Sequence, residues 1–205
     1  MKVLLINSEK PRTGKSTYVA HLQQTYLGIK HLAFAQPIKD LSIQFASSLM
    51  DHLPSIDAPV ISYDTHSKDK PIGGYPFGNT SPRELVCDVS DLYTKATNTE
   101  IWGRVAYEYI LQAEKDGFEV VVFDDWRRFS ESDYLKQQED LDITTLYLSK
   151  EGVEFVPSSG SVASFEGNIK PLDCDLTFKF TNDWGNTHDL DSILSCYMGL
   201  KYNHG

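Results

Sequence analysis

A short apolar strand followed by a polar loop and a helix is the pattern that most constrains this chain. Val3-Leu4-Leu5-Ile6 is a continuous aliphatic run, which suits a strand buried on both faces at the centre of a parallel sheet. A polar stretch from Asn7 to Gly14 leads into Lys15-Ser16-Thr17, and Val19, Ala20, Leu22, Tyr26 and Leu27 follow at roughly helical spacing. Gly28 is expected to end that helix. A strand that turns directly into a helix leaves its loop at the carboxyl edge of the sheet, where open α/β folds bind their ligands.

The loop itself reads Glu9-Lys10-Pro11-Arg12-Thr13-Gly14-Lys15-Ser16. It matches the phosphate-loop pattern G-x-x-x-x-G-K-[ST] at every defined position but the first, where Glu9 stands in place of glycine. In that pattern backbone amides and a helix N-terminus receive phosphates, the lysine adds a positive charge, and the hydroxyl ligates magnesium. Gly-Lys-Ser alone recurs by chance as a helix start with a surface lysine; the strand before it and the helix after it are what give it meaning. Lys10, Arg12, Thr13, Gly14, Lys15, Ser16 and Thr17 are therefore the expected nucleotide-binding residues, with ATP and Mg2+ as cofactors. Glu9 brings a Cβ and a negative charge to the mouth of the loop. Lys10 and Arg12 offset that charge or are simply solvated; the sequence fits both.

The remainder of the 205 residues fits a single domain of α/β type. His31 to Ala35 reads as a second strand, and Pro37 sits in a first helical turn ahead of Ile38, Leu41, Phe45 and Leu49. The stretch 51–80 is rich in proline and glycine and reads as a loop or substrate-side insertion. Ser81-Pro82-Arg83-Glu84 starts a helix reaching about Ala96, and another follows Asn98 or Thr99 with Trp102 on its apolar stripe. Phe118 to Phe123, Ile143 to Leu148 and Leu176 to Phe180 supply further strands, and Asp189 to Met198 a closing helix. Strands alternating with helices imply a mainly parallel sheet flanked by helices.

Several function classes lose support. A formal net charge of -10 weighs against a broad nucleic-acid footprint. Cys87, Cys174 and Cys196 have no zinc or disulfide-framework spacing, and six histidines, His31 among them, show no paired metal-ligand spacing. With no long apolar stretch, a cytoplasmic protein without membrane attachment is expected.

Two carboxylates, Asp124 and Asp125, end the strongest strand signal, as a magnesium-ordering carboxylate of a phosphate-loop enzyme does. Either one suits the role. Arg127 and Arg128 come next, and a guanidinium fork suits phosphate bidentately.

Taken together these segments resemble the deoxynucleoside monophosphate kinases of tailed bacteriophages. The resemblance rests on Gly14-Lys15-Ser16-Thr17, Ala35-Gln36-Pro37-Ile38-Lys39-Asp40, Ser81-Pro82-Arg83-Glu84, Trp102, Asp125-x-Arg127 with Glu131, Ser164-Phe165-Glu166-Gly167 and Thr181-Asn182-Asp183. It implies a P-loop fold like that of adenylate kinase and ATP as donor. It also implies Lys39, Arg83 and Arg127, with Arg128 beside it, as residues for the acceptor's phosphate. On this reading Lys15, Asp125 and Arg127 are catalytic, and Ser16 and Asp124 hold the metal. The expected activity is ATP-dependent phosphorylation of a deoxynucleoside monophosphate or similar nucleotide. Two alternatives stand beside it: a phage kinase acting on 5-hydroxymethyluracil within DNA, and a nucleotide-binding module without catalysis. A small nucleotide is the expected partner, and a homodimer is compatible with the sequence.

Overall fold

The N-terminal apolar run forms β1 (Lys2–Ser8), with Val3 to Ile6 fully buried. The computed structural model describes residues 1–8, 13–53, 61–64, 67–74, 76–152, 169–181 and 186–203. After β1 come α1 (Lys15–Thr25), β2 (Ile29–Leu32), α2 (Ala35–Asp51), α3 (Pro82–Ala96) and α4 (Ile101–Lys115). They are followed by β3 (Val120–Phe123), α5 (Phe129–Lys136), β4 (Asp142–Lys150), a single 3-10 turn at Pro171–Asp173, β5 (Leu176–Phe180) and α6 (Thr187–Met198). Among these residues no helix is long and apolar enough to cross a membrane.

The five strands form one sheet in the order β2-β3-β1-β4-β5, and every pairing is parallel. Because β1 lies between β3 and β4, both of its faces must be covered, and its alternation sorts two cores. Leu4 and Ile6 join Val120 and Val122 against Tyr18, Val19 and Leu22 of α1 and Leu190, Leu194 and Met198 of α6. Val3 and Leu5 join Val121 and Phe123 against Ala106, Ile110 and Ala113 of α4 and Leu135 of α5. This strand parity, carried past the end of β3, decides what its terminal carboxylates meet.

The described residues divide into two compact units. Met1–Phe34 and the chain from Trp102 onward, with the sheet and α1, α4, α5 and α6, make one. Ala35–Ile101, in which α2 packs on α3, makes the other. In the second unit Ser81 caps α3: its hydroxyl accepts the Glu84 amide while the Glu84 carboxylate accepts the Ser81 amide, a reciprocal capping box. From 61 to 80 the described residues hold turns and no helix or strand, and residues 54–60, 65–66 and 75 of the stretch read as a loop lie outside the described residues.

The elements differ from the sequence reading in several places. The second strand is Ile29–Leu32, not His31 to Ala35. Phe34 leaves the ladder because its amide donates to Asp125 Oδ1 at 2.9 Å, and α2 has begun by Ala35. Helix α1 stops at Thr25, where Tyr26 turns extended and forms an isolated bridge to Tyr202. Gly28 then makes the turn into β2 at φ 69, a conformation that a Cβ disfavours. Finally, α5 was not foreseen: over eight residues it buries only Glu131, Ser132 and Leu135, too short and too polar for a periodic signal.

Candidate phosphate-binding site

Where β1 ends and α1 begins, Gly14 takes φ 88 and ψ 19, a left-handed conformation suited to glycine. It caps α1 without a side chain, and the first turn of the helix contains no acidic residue of its own. Thr13 beside it is buried, whereas Thr17 is exposed on the first turn of α1.

From the start of that helix two side chains reach back into the site. Lys15 Nζ donates to Ser8 Oγ at the end of β1. Ser16 Oγ donates to Asp124 Oδ2 at 2.5 Å, joining the loop after β1 to the carboxyl end of β3. Strand parity explains the partner: Val120 and Val122 face α1, and Asp124 continues that side. Asp125 falls on the other side with Val121 and Phe123, and there its Oδ1 accepts the Phe34 amide.

The other oxygen of Asp124 is engaged as well. His31 of β2 places Nε2 2.9 Å from Oδ1. Burial works to raise the Asp124 pKa, but the hydrogen bonds from His31 and Ser16 and the charges of His31 and Lys15 outweigh it and hold the carboxyl below its ordinary value. The bond to Asp124 in turn raises the His31 pKa, against the effect of burial. Asn7 Nδ2 donates to the Trp126 carbonyl at 2.5 Å, tying the end of β1 to the chain beyond β3.

Arg127 and Arg128 are shaped from below. Glu131 in the first turn of α5 turns its carboxylate back, so that Oε2 accepts both their amides at 3.2 Å. Trp126 Nε1 donates to the Arg128 carbonyl at 2.9 Å. Burial pushes the Glu131 carboxyl up to about 7, with the amide bond from Arg127 opposing and the Asp125 charge adding to the shift.

The structure thus brings Lys15, Ser16 and Asp124 together within one unit, with Asp125, Arg127 and Arg128 on the segment leaving β3. Lys39, half-buried in α2, and Arg83 belong to the second unit. Arg83 Nε lies 2.6 Å from Asp69 Oδ1, and its amide donates to the Lys68 carbonyl. Trp102 is buried at the start of α4. Glu9, Lys10, Arg12, residues 164–167 and residues 182–183 lie outside the described residues.

Sequence reasoning missed His31 and Asn7. No local pattern marks either, because His31 meets Asp124 only through the pairing of β2 with β3, in which it stands opposite Val122. Once the strand order is known, the same parity finds it.

Ser16 and Asp124 offer a hydroxyl and an ionised carboxylate side by side, the hard oxygen donors that magnesium takes. Among the described residues no group of three or more His, Cys, Asp or Glu converges as a metal cage. Magnesium at a nucleotide site needs none, because it keeps several waters and takes its remaining ligands from phosphates. The residues present fit the ion.

No protein-family model matches the sequence, and no curated protein matches it either. Among solved structures, the dephospho-CoA kinase from Campylobacter jejuni is similar, with a TM-score of 0.52 and 12% sequence identity over 97% of this chain and 99% of that one. Such a likeness at so low an identity speaks for the fold. Together with the five-stranded parallel sheet and the Gly14-Lys15-Ser16 turn between β1 and α1, it gives the chain an α/β fold of the P-loop NTPase type.

Proposed function

We propose that the protein is an ATP-dependent phosphotransferase whose acceptor is a deoxynucleoside monophosphate or a similar free nucleotide. The observation that carries this reading is the Ser16 to Asp124 hydrogen bond, which sets a phosphate-loop hydroxyl against a strand-end carboxylate. The solved neighbour, a kinase by name, supports it at the level of fold.

In this reading Lys15 holds the β- and γ-phosphates, giving up its bond to Ser8 for phosphate oxygens. Ser16 and Asp124 hold the magnesium ion. A bound magnesium supplies charge neutralisation across the phosphate oxygens and a fixed template for in-line transfer. Asp125 anchors the segment after β3 through the Phe34 amide, and Arg127, with Arg128, meets the charge of the transferred phosphoryl group. Lys39 and Arg83 bind the acceptor's phosphate, a role that rests on the phage-kinase resemblance alone. An acceptor phosphate is already ionised near neutral pH, so transfer needs positioning and charge stabilisation more than a strong base.

Incubation with labelled ATP and magnesium, offering separately free deoxynucleoside monophosphates and DNA bearing 5-hydroxymethyluracil, tests the proposal. Label is expected in the free nucleotides, and Lys15→Ala should abolish it. Label in the DNA alone would move the reading to a DNA-base kinase. Label in neither, with ATP still bound, would leave a binding module.

A further inference from the structure

We propose that His31 is the positioning residue for Asp124, orienting that carboxylate toward the magnesium site. The inference rests on the reading of Asp124 given above.

An aspartate side chain turns softly about its last torsion, which has broad, roughly two-fold preferences. Its two oxygens therefore keep fixed directions only if outside partners hold them. Here the partners come from separate elements: Ser16 of α1 reaches Oδ2 at 2.5 Å and His31 of β2 reaches Oδ1 at 2.9 Å. The imidazole is delivered by the sheet itself, since His31 pairs with Val122, two residues before Asp124 on the same face.

Ser16 and Asp124 would hold the ion, and because the contact from His31 to Oδ1 is separate from the one Ser16 makes to Oδ2, the imidazole would keep the carboxylate's direction fixed. His31 is not itself a fitting ligand, because its Nε2 is turned to the carboxylate and magnesium prefers oxygen. The Asp124 side chain is 10% exposed and that of His31 35%, so the carboxylate is the more buried partner of the pair. Outer partners that orient a metal ligand in this way are worth roughly 10- to 100-fold in metal affinity or activity.

The test measures nucleotide binding by calorimetry, with and without magnesium, for the wild-type protein, His31→Leu and His31→Gln. His31→Leu removes the donor and should weaken binding of the magnesium–ATP complex by about 10- to 100-fold, leaving metal-free ATP affinity unchanged. His31→Gln keeps an N–H donor and should recover much of the loss. A purely structural role would weaken both forms of binding together and overturn the proposal, as would equal magnesium dependence in all three proteins. Absence of any magnesium-dependent binding in the wild type would instead strike at the phosphotransferase reading and take this one with it. If His31→Leu does not fold, the imidazole nitrogen resonances of wild-type His31 decide: addition of magnesium and ATP should shift them, and unchanged resonances sink the idea.

Discussion

Two neighbouring carboxylates, Asp124 and Asp125, receive different tasks from a single turn of strand parity. The sequence shows that acid gathers where β3 ends, because charge after a run of valines is a local signal. It does not separate the two residues until the sheet says which face each continues. Asp124 lies with α1 and meets Ser16; Asp125 lies opposite and takes the Phe34 amide. Ser16→Ala should therefore raise the magnesium concentration needed for half-maximal activity by at least tenfold, the scale at which metal-site partners act. A magnesium titration at saturating ATP reads this directly, and an unchanged midpoint would remove Ser16 from the metal site. Lys15 and Ser16 were legible because β1, its loop and α1 are contiguous, and the acidic strand end because charge follows an apolar run. His31 was not, because its meeting with Asp124 depends on which strands are neighbours, and periodicity does not encode strand order.

Between single residues and the whole sheet stand α4 and α5, and they touch through a glycine. A Cβ built on Gly103 would lie 2.8 Å from Tyr134 Cβ, 3.0 Å from the Glu131 carbonyl oxygen and 3.4 Å from that of Ser130. These atoms belong to backbone or sit next to it, so they yield only if the helices part. Alanine gains about 1 kcal/mol over glycine inside a helix, but overpacking of this kind costs about 1–3 kcal/mol. Gly103→Ala is thus expected to destabilise the protein by up to about 2 kcal/mol, measured by urea unfolding; a stabilised variant would show that the helices separate freely.

The first turn of α5 also carries a titration. Glu131, ordinarily near 4.5, is pushed up to about 7 by burial, so the folded protein keeps a proton that the unfolded chain has released. Stability attributable to this group is full below about pH 4.5 and falls as pH rises through about 7. At about 1.4 kcal/mol per pH unit, the window is worth about 3 kcal/mol. Since Glu131→Gln does not ionise, its stability relative to wild type should climb by about that amount between pH 4.5 and 7, then level off. Urea unfolding of both proteins across this range checks the sign; a constant difference would mean that Glu131 does not titrate there. Neither the capping contact of Glu131 with the Arg127 and Arg128 amides nor its burial was read from the sequence, because α5 has no apolar stripe of its own and meets α4 at Gly103 only in the fold.

At the scale of the molecule, charge bears on the choice of acceptor. The chain carries 19 Lys and Arg against 29 Asp and Glu, a formal net charge of -10. A protein that held DNA through 6–10 phosphate contacts would lose about 10³- to 10⁵-fold in affinity between about 50 and 200 mM salt, because each contact releases counterions. An acceptor with one phosphate, met by two cations such as Lys39 and Arg83, releases few. Its dependence over the same range should stay within about tenfold. The measurement is kcat/KM for the acceptor at saturating ATP across that salt range. A shallow line supports a free nucleotide held by a few local cations in an acidic protein. A steep one, falling by several powers of ten, would show that an extended polyanion occupies the acceptor site, and that a local basic track overrides the charge of the whole.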